Sequence, residues 1–252
     1  MKRSAAKRWL QAGLLLLCGL GLLHVSLVTD ICLRYVKESM RPLLIASGVV
    51  LVVLGIASAL LDRQRGHEEH KSHDHGHDHS ALPRVSWLLL LPALSLLVYA
   101  PPALGAYTAA RQPAKVITQR SSFDPLPSTS PLPMTLSDFT SRVQQDRGQA
   151  IEGRTVLMTG IVTPRGDGSW DLTRIIISCC AADAQSVKVR IYGGGPVPSA
   201  NTWVSVTGAW HPGGTLGTGS AAVALDARTV EKIPRPLNGY QDALPPPSTI
   251  TR

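Results

Sequence analysis

Three long apolar runs lie in the N-terminal part of the chain, and each is long enough to cross a bilayer as a helix of about 20 residues. The runs cover Leu10–Val28, Leu43–Leu61 and Trp87–Ala106. The first has a basic start but no small-x-small cleavage site, which favours a retained helix over a cleaved signal peptide. The pattern predicts a transmembrane hairpin at residues 1–62, a polar loop at 63–85 and a third transmembrane helix at 86–107.

A different pattern begins after the last apolar run. Residues 108–133 are rich in proline, serine and threonine, which predicts a linker or an extended arm. Residues 134–236 hold short β-branched stretches between glycine-rich turns, preceded by one helix that opens with the capping sequence Thr135-Leu136-Ser137-Asp138. Residues 237–252 contain a proline triplet and are predicted to form a disordered tail.

Five short strands are predicted in the region 134–236. They cover Thr155–Thr163, Trp170–Ser178, Val187–Ile191, Trp203–Trp210 and Ala221–Val230. Gly160 and Gly208 would allow sharp coiling in the first and fourth strands. We therefore expect an all-β, OB-like barrel with one leading helix, in preference to a β-sandwich. The predicted fold class is a membrane α-helical N-terminal region with three transmembrane helices plus this small β domain.

The formal net charge of +8 lies mostly on the flanks of the apolar runs. Residues 1–133 carry a net charge of +6 and residues 134–252 only +2, so nucleic acid is not an expected partner. Lysine and arginine are more frequent at the N-terminus and in the loop 63–85 than on the opposite flanks. This bias predicts a multi-pass protein of the cell membrane, in contact with lipid, with those two segments cytoplasmic and the C-terminal domain extracytoplasmic.

Six of the eight histidines fall within the predicted polar loop. They are His67, His70, His73, His75, His77 and His79. Neutral imidazole is a good ligand for zinc, nickel, copper and cobalt, and a flexible segment can gather several imidazoles around one ion. Ordering the loop costs conformational entropy, which limits the affinity. The segment predicts moderate binding of zinc or another divalent transition metal, and the alternative is a solvated low-complexity linker.

The adjacent residues Cys179 and Cys180, followed by Asp183, are the second candidate metal site. Neighbouring residues of a strand point to opposite faces, so the two thiols share one ion only if the backbone turns there. Asp183 and its alanine-rich surroundings favour a turn. A metal site, a strained vicinal disulfide with redox function, and one buried beside one incidental thiol all remain open. His211 would contribute only if it lay near this pair.

Known catalytic signatures are absent from the sequence. It has no P-loop, no dinucleotide-binding fingerprint, no serine-nucleophile elbow and no HExxH motif. We therefore expect that the protein is not an enzyme, and we assign no catalytic residue.

Two segments carry a resemblance to a known family. The connection between the first two runs contains Tyr35, Val36, Arg41, Pro42 and Leu43, and a later segment reads Ser178-Cys179-Cys180-Ala181-Ala182-Asp183-Ala184. With the order of spans, histidine-rich loop and β domain, the chain resembles the YcgQ-type family of bacterial membrane proteins. These are described as subunits of a two-component permease and are named with a multi-span YcgR-type permease. The resemblance extends over nearly the whole chain and implies such a partner.

The expected function is that of an accessory subunit of a membrane permease, linked to the handling of divalent metal such as zinc. The alternative is a membrane-anchored redox or metal-binding module that uses Cys179 and Cys180.

Overall fold

The computed structural model describes residues 2–29, 31–65, 104–115, 117–236 and 239–245. The chain forms two compact units, Met1–Ala103 and Leu104–Arg252. The histidine-rich loop and the third predicted transmembrane helix, apart from its last residues, lie outside the described residues.

The first unit contains two apolar helices, α1 (Lys2–Leu23) and α2 (Arg41–Arg65). A π-helical turn at His24–Val28 extends α1, and two short 3-10 turns lead into α2. The segments Trp9–Val28 and Glu38–Leu61 are long and apolar enough to cross a membrane, and only 17% and 11% of their residues are buried. A soluble core helix would be mostly buried, so this exposed apolar surface supports membrane association. The described residues contain two such helices, where the sequence predicted three.

Glycine lets the two apolar helices approach closely. A Cβ on Gly19 would clash with Val52 and with the backbone of Gly48, and a Cβ on Gly55 would clash with Leu16. Gly21, by contrast, faces open space. The absence of a side chain at Gly19 and Gly55 therefore allows the close approach of the two helices.

The second unit is a barrel with accompanying helices. In chain order it comprises α3 (Ala106–Arg111), β1 (Leu132–Pro133), α4 (Leu136–Gln145), β2 (Val156–Pro164), β3 (Trp170–Ile176), β4 (Gln185–Gly193), β5 (Trp203–Trp210) and β6 (Ala224–Lys232). The sheet order is β1-β2-β3-β4-β6-β5, and pairing of β2 with β5 closes a five-stranded barrel. Neighbours in the barrel are antiparallel except β4 and β6, which are parallel. This topology confirms an OB-like domain with one leading helix.

The leading helix α4 seals one side of the barrel core. Its apolar residues Phe139 and Val143 are fully buried with Val162 and Leu172. Thr135 caps the helix as expected, because its hydroxyl accepts a hydrogen bond from the backbone N–H of Asp138 at 3.0 Å.

Gly208 lies where β5 coils onto β6. The register between the two strands shifts between Thr207 and Gly208, which marks a β-bulge. A Cβ on Gly208 would overlap the carbonyl oxygen of Asp226. The strand therefore needs glycine here, in agreement with the expectation from the sequence.

The segment before the barrel lies against it. Leu104 and Ala106, which the sequence placed at the end of the third transmembrane helix, belong to this unit: Leu104 accepts a hydrogen bond from the Tyr240 hydroxyl, and the Ala106 N–H donates to Asn201. Gly105 is extended, and the helix α3 begins after it at Ala106. We refer to residues 104–115 as the arm.

Residues 239–245, assigned to a disordered tail from the sequence, also lie on the barrel. Both carboxylate oxygens of Asp242 accept hydrogen bonds from the first turn of α4, from Leu136 N–H at 3.1 Å and Ser137 N–H at 2.6 Å. The carbonyl of Tyr240 accepts from the N–H of Ile177. A carboxylate at a helix N-terminus satisfies otherwise unpaired N–H groups, which fixes this segment in place.

Candidate thiol site

The candidate thiol site is the loop between β3 and β4, residues 177–184, called the thiol loop below. Ile177 anchors its start, since its side chain is buried and its N–H donates to Tyr240. The loop then leaves the strand direction and makes a single 3-10 turn at Ala181–Asp183 before β4 begins.

Asp183 holds the thiol loop in its turn. One carboxylate oxygen accepts from the N–H of Ser178 at 2.9 Å, and the other accepts from the N–H of Cys179 at 2.7 Å. The N–H of Asp183 in turn donates to the carbonyl of Cys180 at 3.0 Å. Aspartate is well suited to such turns because its short side chain reaches nearby backbone N–H groups.

The turn brings the two cysteine sulfurs together. Cys179 Sγ and Cys180 Sγ lie 3.7 Å apart, and both are free thiols. Cys179 is exposed and Cys180 is partly exposed, so neither is a buried packing residue. Because the backbone turns, the two sulfurs are not held on opposite faces of a strand, and both can approach one ion.

The two acidic groups of the loop shift each other's pKa values. The hydrogen bond to Asp183, together with a weaker one to Cys180, raises the pKa of the Cys179 thiol to about 11. The hydrogen bond from Cys179 lowers the pKa of Asp183. At neutral pH Cys179 therefore stays protonated beside an ionised carboxylate, and a metal ion would have to displace that proton.

Asp183 is already engaged by the backbone, which limits its use as a third ligand. Within the described residues, no group of three His, Cys, Asp or Glu side chains forms a ready metal site. The loop thus offers two sulfurs and leaves further coordination positions to water or to another molecule. The six histidines of the loop 63–85 fall outside the described residues.

His211 lies at the far end of the barrel from the thiol loop. Its ring stacks on Tyr192 with centroids 4.1 Å apart, and its Nδ1 lies 2.7 Å from a carboxylate oxygen of Asp226. Tyr192 is seven positions along β4 from Gln185, the strand residue next to the loop, which corresponds to about 23 Å. The structure therefore does not bring His211 to the cysteine pair.

Arg174 was not singled out by the sequence, yet it is the largest fully buried side chain of the described residues. It donates to the carbonyl of Thr159 at 2.7 Å and to its hydroxyl at 2.6 Å, and it stacks over Trp203. Burial lowers its pKa to about 10. The available signal was an arginine followed by two isoleucines within a predicted strand. Its contacts are structural, and none reaches the thiols.

Comparisons with known proteins give one match. The family model described as the DUF1980 N-terminal domain matches residues 13–112, which is fewer than half of the 252 residues. The match includes the second half of α1, all of α2 and most of the arm, and the barrel lies beyond it. It is consistent with the YcgQ-type resemblance of the sequence. No curated protein and no solved structure matches the chain significantly.

Proposed function

We propose that this protein is a membrane-anchored accessory subunit of a multi-span permease, and that its thiol loop binds a divalent transition metal such as zinc transiently. The observation that carries the proposal is the paired arrangement of Cys179 and Cys180, 3.7 Å apart and accessible on a turn fixed by Asp183.

The anchoring part of the proposal is supported by the first unit. Its two apolar helices expose most of their surface, and glycine contacts such as that of Gly19 with Val52 join them in a hairpin. The described helices contain few polar groups that could line a translocation path, which suits an accessory role beside a larger permease. The YcgQ-type resemblance names a partner of that kind. We place the N-terminus in the cytoplasm and the barrel outside.

The metal part of the proposal is supported by the chemistry of the loop. Two neighbouring sulfurs are good ligands for zinc, and an incomplete ligand set lets an ion be passed on. The raised pKa of Cys179 adds a proton cost, so binding should strengthen as the pH rises. Both properties fit transient binding better than permanent structural binding.

The experiment that tests this proposal is cobalt(II) titration of the full chain in non-ionic detergent, with the six loop histidines replaced by glutamine. Thiolate ligands give cobalt a near-ultraviolet charge-transfer band that imidazole does not give. We expect the band in this parent and its loss when Cys179→Ser and Cys180→Ser are combined. Its apparent affinity should rise up to about tenfold per pH unit for each proton released.

The matched control combines Cys18→Ser with Cys32→Ser, since these free cysteines lie in the first unit, outside the barrel. We expect this control to keep the band. A parent without any band, or a band that survives loss of Cys179 and Cys180, would contradict metal binding by the thiol loop.

A redox module remains the second candidate because the two sulfurs are close enough to be oxidised together after a small movement. The raised pKa of Cys179 argues against it, since the thiolate is the reactive form. Alkylation of the thiols in native membranes distinguishes the redox module from the metal-binding subunit. A pair that cycles between free and oxidised forms would favour the redox module, and a permanently free, unreactive pair would exclude it.

A further inference from the structure

A second polar site lies on the opposite side of the sheet from the core, where α3 and the rest of the arm cover β2, β3 and β4. The arm is fastened by Ala109, which packs against Ile161 and Ile175, and by the Lys188 ammonium, which donates to the carbonyl of Gln112 at 2.8 Å. A cavity of about 390 Å³ remains at the edge of this cover. Its lining comprises Ala110, Thr163, Pro164, Arg165, Gly166, Asp167, Asp171 and Lys188.

The buried hydroxyls beneath the arm have no hydrogen-bond partners. Thr163 lines the cavity and is only 2% exposed, and its Oγ1 is unpaired. The hydroxyls of Thr173 and Ser186 on the neighbouring strands are fully buried and unpaired as well. A buried hydroxyl without a hydrogen-bond partner destabilises the folded protein. A molecule in the cavity that hydrogen-bonds to Thr163 would therefore stabilise the fold.

The charged groups around the cavity leave spare donors. Asp171 is 5% exposed, and its two oxygens are taken by Arg165 at 3.0 Å and Arg190 at 3.4 Å. The Lys188 ammonium has three N–H groups and one recorded partner, the carbonyl of Gln112. Among the described residues no carboxylate lies within ion-pair distance of it. The Arg165 guanidinium also lies 3.8 Å from a carboxylate oxygen of the exposed Asp167, and it has more N–H groups than Asp171 and Asp167 use.

We infer that this cavity binds a small oxyanion, with Lys188, Arg165 and the Thr163 hydroxyl as donors. The Thr163 hydroxyl can donate a hydrogen bond, the Lys188 ammonium and the Arg165 guanidinium are donors only, and an oxyanion supplies the acceptors. Burial lowers the pKa of Lys188, the charge of Asp171 opposes this effect and that of Arg165 adds to it, and a bound anion would raise the pKa. The inference uses neither cysteine and does not depend on the proposed function.

The test is calorimetric titration of the full chain in a phosphate-free, non-ionic detergent with inorganic phosphate, sulfate or acetate, against chloride at equal ionic strength. We expect saturable binding of at least one oxyanion. Binding of phosphate and sulfate alone would identify a tetrahedral anion, and binding of acetate as well would identify a carboxylate group. No saturable binding of any of them would overturn the inference and leave water as the occupant.

Thr163→Val separates a ligand role from a structural role, because its two effects have opposite signs. Loss of the unpaired hydroxyl should raise the melting temperature in anion-free buffer, whereas it should weaken anion binding by about fivefold or more. The exposed Thr229 of β6 provides the matched control, Thr229→Val, which should change neither. An unchanged anion affinity in Thr163→Val would count against the site.

Lys188→Met removes the principal positive charge and should weaken anion binding by about tenfold or more. The exposed Lys232 at the end of β6 gives the control Lys232→Met, which alters the net charge equally. Equal losses in both variants would show a general charge effect rather than a site and would also overturn the inference.

Discussion

Asp183 controls the acidity of Cys179 within one short loop, and this coupling can be measured. We predict that Asp183→Asn lowers the pKa of Cys179 from about 11 toward its ordinary value of 9.0, because the thiol loses its hydrogen bond to the carboxylate and the negative charge beside it. Each unit of decrease raises the thiolate fraction of Cys179 at pH 8 about tenfold, and because a less basic thiolate is a weaker nucleophile the alkylation rate should rise about threefold. Peptide mass spectrometry after timed alkylation measures this rate.

Asp167→Asn is the matched control for that prediction. Asp167 is also an exposed aspartate that accepts hydrogen bonds from its own turn, here from Ser169. Its replacement should leave the alkylation rate of Cys179 unchanged. An Asp183→Asn protein that reacts no faster than the parent would show that the carboxylate does not hold the proton on Cys179.

The sequence predicted the roles of residues that interact with near neighbours in the chain. The turn at Asp183 and the cap at Thr135 each depend on residues within five positions, and both are found. The roles of Arg174 and Asp242 depend on segments far apart along the chain, such as the pairing of Asp242 with the start of α4. Periodicity and composition carry no information about such contacts, so these residues were missed.

At the scale of elements, the leading helix depends on the C-terminal segment. We predict that Asp242→Ala lowers the free energy of unfolding by about 1–2 kcal/mol, because two N–H groups of α4 lose their acceptor. It should also make the chain beyond residue 236 more sensitive to limited proteolysis. The exposed Gln241 gives the control Gln241→Ala, for which we expect neither change. Equal behaviour of the two variants would contradict a capping role.

The bulge of β5 gives a second test at this scale. We predict that Gly208→Ala lowers the free energy of unfolding by about 1–3 kcal/mol, since the new methyl group overlaps the carbonyl oxygen of Asp226. Gly166→Ala is the control, because a methyl group there meets no neighbour. Thermal unfolding in detergent measures both. A Gly208→Ala protein as stable as the control would mean that the close strand approach is not required.

The sequence predicted the types of the secondary-structure elements better than their positions in the fold. All five barrel strands were predicted to within a few residues. Alternation marked β4, as in Val187, Val189 and Ile191, whereas β-branched residues between glycine-rich turns marked strands such as β2. The position of the arm was not predicted, since a segment rich in proline and polar residues looks the same whether it is free or bound. Its attachment depends on single contacts such as that of Lys188 with Gln112.

At the scale of the whole molecule, the two units differ in the polarity of their exposed surfaces. The first exposes apolar side chains along both helices, for example Leu17 and Val53, and so requires lipid or another membrane protein. The second has a closed core and a polar exterior that carries the thiol loop and the oxyanion cavity. The proposed accessory subunit would use the first unit as its membrane anchor and the second for its ligand groups.

The central claim is that this chain works as a subunit of a permease. The most direct measurement is purification of the tagged protein from its native host in mild detergent, with quantitative mass spectrometry and a reciprocal purification through a tag on the partner. The account predicts a multi-span permease in stoichiometric amount in both directions. Recovery of the chain alone, or only with further copies of itself, would contradict it.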